Sequence, residues 1–171
     1  MRNITGYTCG SCGRRHEDLP LSYRTAAPAP WTDALDDDPN SELTPDLCVI
    51  SGQHFFIQGN LEIPILGGAE VFTWGVWVSL SPASFARTTD LWDEPGREAG
   101  PPHFGWLSTE LAGYRVSTLN LKTNVHTRPV GHKPYVEVEP TDHPLAVDQR
   151  TGITMARVQQ FAELLLHGGR G

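Results

Sequence analysis

Val71-Phe72-Thr73-Trp74-Gly75-Val76-Trp77-Val78-Ser79-Leu80 is the stretch that decides the fold. Its β-branched and aromatic residues suit a pleated backbone, and a period of two puts Phe72, Trp74, Val76, Val78 and Leu80 on one face. That face is the expected core. The opposite face carries Val71, Thr73, Gly75, Trp77 and Ser79, where the large ring of Trp77 stands among short neighbours, as in the floor of a groove or beneath a packed loop.

Working outward, Leu47-Cys48-Val49-Ile50, Phe55-Phe56-Ile57 and Leu61-Glu62-Ile63-Pro64-Ile65 read as strands separated by Gly, Asn or Ser turns. Tyr114 to His126 and Tyr135 to Glu139 read as further strands. Ser81-Pro82 places a capping hydroxyl before a proline suited to the first helical turn, so a short helix is expected over 82–90. His143-Pro144 starts another, ending at Gly152. Thr154 caps a third, in which Val158, Phe161, Ala162 and Leu165 share a face and Gly168-Gly169 is the stop. Strands without regular helices between them favour an antiparallel sheet. The predicted class is therefore α+β, a single domain with a curved, mainly antiparallel sheet backed by a C-terminal helix. Residues 1–45 form a zinc-knuckle-like segment followed by an extended, Pro-rich wrapping segment, and residues 46–171 form the core.

The chain has 171 residues, enough for one hydrophobic core, and its 17 Gly and 14 Pro indicate a turn-rich globular protein. A formal charge of −7 opposes nucleic-acid binding, because phosphate affinity comes mostly from clustered Lys and Arg. The first residues contain no apolar leader core, and no run approaches the roughly 18 apolar residues of a spanning helix. A cytoplasmic location without membrane attachment is expected. Three cysteines make a poor disulfide framework and suit a reducing compartment.

Cys9-Gly10-Ser11-Cys12-Gly13 has the spacing of a knuckle in which two thiolates face one ion and the glycine permits the tight turn. His16, four positions after Cys12, is a candidate third ligand, since imidazole nitrogen and thiolate sulfur both suit zinc. Cys48 is the candidate fourth; its other reading is a small buried hydrophobe within Leu47-Cys48-Val49-Ile50. A redox dithiol at Cys9 and Cys12 lacks the strand-before and helix-after context of thioredoxin-like sites. Four protein ligands would make the zinc structural. Three would leave a position for water and allow hydrolytic chemistry.

Cys9-x-x-Cys12-Gly13-x-x-His16 with Leu19-Pro20, Asp46-Leu47-Cys48-Val49-Ile50, Phe55-Phe56-Ile57, Trp74-Gly75-Val76-Trp77-Val78-Ser79-Leu80, Phe104-Gly105-Trp106-Leu107 and Asp142-His143-Pro144-Leu145-Ala146 together resemble the bacterial family catalogued as domain of unknown function 2199. The resemblance spans almost the whole chain in order. It implies one full-length bacterial domain with a knuckle-like N-terminus, places Cys48 within the matching part, which favours its reading as a ligand, and carries no activity or catalytic residue. Where it leads one to expect an arginine after Phe-Phe-Ile, this chain has Gln58.

No nucleophile elbow, phosphate-binding glycine loop, His-Glu-x-x-His helix or dinucleotide fingerprint is present. Glu62, on the opposite strand face from Leu61 and Ile63, could share a groove with Trp77, and His143 beside Asp142 is either an oriented base or part of a helix cap. His54, His103, His126 and His132 are further acid/base candidates, and Trp74, Trp92 and Trp106 are candidate pocket walls or core. Without a recognisable catalytic constellation, the reading is a zinc-stabilised binding or accessory module that takes a protein or small ligand through an aromatic groove at Trp77, Glu62 and His143. The alternative is a metal-dependent or acid/base enzyme acting on a small molecule. A third reading, an antitoxin-like protein whose acidic face mimics nucleic acid, rests on charge alone.

Overall fold

In the computed structural model the described residues are 5–10 and 12–167; positions 1–4, Ser11 and the expected Gly168-Gly169 helix stop lie outside them. The alternating stretch forms β7 (Val71–Leu80), paired antiparallel along its whole length with β6 (His54–Pro64), so that Gln58 faces Trp77 and Leu61 faces Trp74. From β7 the sheet continues antiparallel through β8 (His103–Leu107), β9 (Lys122–His126) and β10 (Tyr135–Val138). β10 then lies parallel to β6, with Tyr135 beside Asn60, which closes these strands into a barrel.

Closure depends on two glycines that point inward. A Cβ on Gly59 would sit 2.6 Å from Val136 Cγ2, and one on Gly105 would overlap Val78 and the Ser79 carbonyl. Gly59 is therefore not the turn its composition suggested. The segments 55–57 and 61–65 join through it, and a single long β6 serves β5 (Leu47–Ile50) with its first half and β10 with its second.

The barrel interior is the face read from the sequence. Phe72, Trp74, Val76, Val78 and Leu80 pack with Leu61, Ile63, Leu107, Val125 and Val136. The helical backing adds Leu145 and Ala146 from α2 (Pro144–Thr151) and Val158 and Phe161 from α3 (Met155–His167). Phe161 fits between Phe72 and Trp74, with ring centroids 5.3 and 5.1 Å away.

The helix starts follow local capping chemistry. Ser81 Oγ accepts from Ser84 N–H at 3.1 Å at the head of α1 (Pro82–Asp90), and Thr154 Oγ1 accepts from Arg157 N–H at 3.2 Å ahead of α3. The expected strand from Tyr114 is shorter than predicted, because only Lys122–His126 is extended. Gly113 and Asn120 adopt positive φ, and the Thr118 hydroxyl, which accepts from Leu111 N–H and donates to the Thr109 carbonyl, folds 109–121 into a closed loop.

A second, smaller core lies outside the barrel. β3 (Ser22–Arg24) runs parallel to the first half of β7, and β4 (Glu42–Leu43) adds to β5. Between them Trp31, Leu35 and Leu43 close over Cys48, Ile50, Phe56 and Trp77. Residues 25–50 thus roof the outer face of the β6–β7 hairpin. Trp77 is fully buried and its Nε1–H donates to the Thr25 carbonyl at 2.8 Å. The groove expected at Trp77 is corrected by this packing: burying a ring of that size stabilises by about 5 kcal/mol, and the wrapping segment supplies the cover.

Candidate functional site

The N-terminal segment forms a separate hairpin, β1 (Thr5–Thr8) with β2 (Arg15–Asp18), whose register sets Tyr7 opposite His16. Its loop is held by Gly13 N–H donating to the Cys9 carbonyl at 2.8 Å and Cys9 N–H to the Arg14 carbonyl at 2.9 Å, and Gly13 takes φ 71°. A residue with a side chain would be strained there. This loop gathers Cys9 Sγ, Cys12 Sγ and a His16 ring nitrogen within 4.8 Å of one another. Cys12 Sγ and His16 Nε2 are 3.5 Å apart. A tetrahedral ion with bonds of roughly 2.1–2.3 Å sets its ligand atoms about 3.5–3.8 Å from each other, so this group could hold a metal ion.

Cys9 is buried and Cys12 exposed, so the group sits at the surface with one flank covered. Tyr7 stacks on His16 at 5.2 Å and packs with Cys9 and Ala162 of α3. Gly10 N–H donates to Glu163 Oε1 at 2.8 Å, and Gln159 Nε2 donates to the Thr8 carbonyl at 3.0 Å. The Tyr7 hydroxyl is held above its ordinary pKa, first by burial and then by the negative charges that Cys9, Glu163 and Cys12 offer.

Cys48 lies outside this group. Its side chain packs with Ile50, Phe56 and Trp77 in the outer core, where burial pushes its thiol up to about 11. The strand pairing that directs Val49 away from the roof directs Cys48 into it, and the ligand expectation for Cys48 is corrected accordingly.

Nor are Glu62 and His143 gathered at Trp77. Glu62 is held by Arg128 at 2.6 Å, and that guanidinium also covers the Tyr135 ring at 5.3 Å. His143 caps α2: Nδ1 accepts from Leu145 N–H at 3.1 Å, which leaves the proton on Nε2 to donate to the Ser117 carbonyl at 3.0 Å. Both ring nitrogens are thereby occupied. Among the other histidines, His54 and His132 are exposed, and His126 Nε2 is 3.5 Å from Glu137. His103 is held below its ordinary pKa by burial and then by Arg87. Among the described residues no hydrogen bond or ring contact joins one of these histidines to another.

Beside Trp77 lies a polar cluster that residue patterns did not reveal. The Gln58 Oε1 atom, on a side chain only 2% exposed, accepts from Arg24 at 2.8 Å and from Lys133 at 2.7 Å. Lys133 also meets Asp46 at 2.7 Å. The position where the resemblance led one to expect arginine is thus a neutral acceptor ringed by two cations from other parts of the chain.

A cleft of about 320 Å³ opens between the segment after α1 and the β9–β10 loop, with Trp92, Asp93, Arg128, His132 and Lys133 among its walls. Arg97 holds the two sides together. Its guanidinium donates to the carbonyls of Trp92 at 2.6 Å, Arg128 at 2.8 Å, and Pro129 and His132 at 3.2 Å, and lies 5.5 Å over the Trp92 ring. An isolated arginine in a Gly- and Pro-bounded loop gives no periodic signal, so this clamp was invisible in the sequence.

The fold and its N-terminal site define a small closed β-barrel domain carrying a Cys/His group able to hold a metal. The chain belongs to the bacterial family described as an uncharacterized protein conserved in bacteria, DUF2199, whose profile matches residues 8–153. No curated protein and no solved structure matches it significantly. Among the described residues no helix is long and apolar enough to cross a membrane.

Proposed function

We propose that the protein is a zinc-stapled binding module of the bacterial cytoplasm, in which Cys9, Cys12 and His16 hold zinc and the barrel presents a preformed cleft to a small ligand or a protein segment. The observation that carries this reading is the convergence of two sulfurs and one imidazole nitrogen within 4.8 Å on a hairpin that has almost no core of its own. Thiolate and imidazole are the donors that borderline-soft zinc prefers. Metal-binding energy would then supply folding energy where apolar burial is scarce. Arg97, by fixing both walls of the Trp92 cleft, lowers the ordering cost that a ligand would otherwise meet.

A second reading has its own support. A three-ligand set with Cys12 exposed leaves a coordination position for water, the arrangement of a metal-dependent enzyme acting on a small molecule. Elemental analysis with X-ray absorption at the zinc edge separates the two. One zinc per chain with only sulfur and nitrogen neighbours, which requires a fourth donor beyond Cys9, Cys12 and His16, supports the staple, a water oxygen in that position supports the enzyme, and a metal-free protein refutes both.

A further inference from the structure

The barrel's outer surface is covered unevenly. The 25–50 segment roofs the β6–β7 hairpin, while on β8 alternate residues Phe104 and Trp106 remain 48% and 42% exposed. Their rings meet edge to face, 5.2 Å apart at 84°. Strand register sets Asn124 opposite Phe104, and sets Lys122 of β9 and Ser79 of β7 on either side of Trp106. A cleft of about 300 Å³ opens between this pair and the first turn of α1, lined by Ser79, Ser81, Ser84, Phe104 and Trp106. Ser81 is spent on capping α1, but the Ser79 and Ser84 hydroxyls and the Asn124 amide have no side-chain hydrogen bond among the described residues.

Two neighbouring rings left in water offer an apolar surface on which a flat ligand face can stack. What they recognise is constrained by charge. The cleft lining holds no charged side chain, Lys122 is a single cation beside Trp106, and the chain carries −7 overall, so a phosphodiester strand, which needs a track of cations beside its stacking rings, is a poor match. A pyranose ring has a C–H face that lies against an aromatic ring and a rim of neutral hydroxyls that both donate and accept. Short hydroxyl and amide side chains are suited to that rim. A volume of this size is at the small end of ligand sites, which run roughly 300–1,000 Å³.

We propose that this face binds a neutral saccharide, one pyranose ring stacked on Trp106 with its hydroxyls on Ser79 and Ser84 and the next sugar unit reaching Asn124 beside Phe104. The site is separate from the Trp92 cleft and does not depend on it. The test is titration of the full-length, ¹⁵N-labelled, metal-loaded protein with cellotetraose, maltotetraose and chitotetraose, following the Trp106 indole N–H resonance assigned through Trp106→Phe. At least one of the three is expected to move that resonance saturably, and Trp106→Ala and Asn124→Ala are each expected to weaken binding about tenfold or more, with thermal unfolding unchanged. No movement with any of the three, a shift that survives Trp106→Ala, or a response to adenosine monophosphate or a decathymidylate instead would overturn the proposal.

Discussion

The backbone amide of Gly10 and the carboxylate of Glu163 are hydrogen-bonded at 2.8 Å although 153 positions separate them in the chain. This contact, with Gln159 to the Thr8 carbonyl, docks the knuckle on α3. Glu163→Ala should therefore loosen the hairpin while leaving the barrel intact. A loss of about 0.5–1.5 kcal/mol is expected. For a chain of this size that lowers Tm by about 1–6 °C. Hydrogen exchange at the Gly10 amide should accelerate in the variant, and unchanged exchange there would show that the carboxylate does not hold the knuckle.

Removing the metal should act on the same hairpin. Cys9→Ser, or treatment with a strong chelator, is expected to release the proposed zinc and to expose Tyr7, because the apolar contacts of the hairpin are few. The barrel, whose buried core draws no residue from the hairpin, should keep its near-ultraviolet circular dichroism. A variant that keeps stoichiometric zinc would remove Cys9 from the ligand set.

Trp77 should behave as core. Trp77→Ala opens a cavity beneath the 25–50 roof and should cost about 3–5 kcal/mol, close to the effect of Trp74→Ala inside the barrel. Trp77→Phe keeps most of the packing but loses the bond to the Thr25 carbonyl, for about 1 kcal/mol. Urea unfolding of the three variants measures this, and a near-neutral Trp77→Ala would return the residue to a surface role.

Gln58→Leu preserves approximate volume but leaves Arg24 and Lys133 without their shared acceptor. Hydrogen bonds to charged donors are worth about 1.5–3 kcal/mol, so a loss in that range is expected in denaturant unfolding. An unchanged midpoint would show that both cations find other partners.

The protein should lose stability in alkali. Cys48 is raised from 9.0 to about 11, and Tyr23 from 10.0 to about 12, both by burial. The unfolded chain then gives up these protons at a lower pH than the folded one, so the stabilising contribution is complete below about pH 9 and fades as pH climbs through 9–12. Unfolding midpoints that stay level from pH 8 to 11 would contradict it. In the same range a thiol reagent should modify Cys12 of the metal-free protein well before Cys48.

Much of this architecture depends on contacts within a few residues, and that part was legible. The alternation in 71–80 marked the barrel interior correctly, because the side-chain period of a strand is a property of the backbone alone. The caps at Ser81, His143 and Thr154 located α1, α2 and α3, because a cap is satisfied by an amide two or three residues away. The Cys-x-x-Cys spacing with His16 gathered its three candidate ligand atoms for the same reason: the hairpin that brings them together runs only from Thr5 to Asp18, a local structure.

Other features required distant partners, and no local pattern carries them. Gly59 looks like a turn until Val136 arrives against it; Trp77 looks like a groove floor until Trp31 and Leu35 cover it; Cys48 is the obvious thiolate until β5 turns it into the outer core. Each outcome depends on which strands pair and in what register, and loop-closure entropy and side-chain volume decide that across the whole chain. By itself the sequence determined the periodic faces, the helix starts and the Cys9, Cys12 and His16 group that could hold a metal. The tertiary structure alone decided the closed barrel, the roof over Trp77, the Arg97 clamp and the open Phe104–Trp106 face, because a buried or exposed side chain is defined by what folds over it.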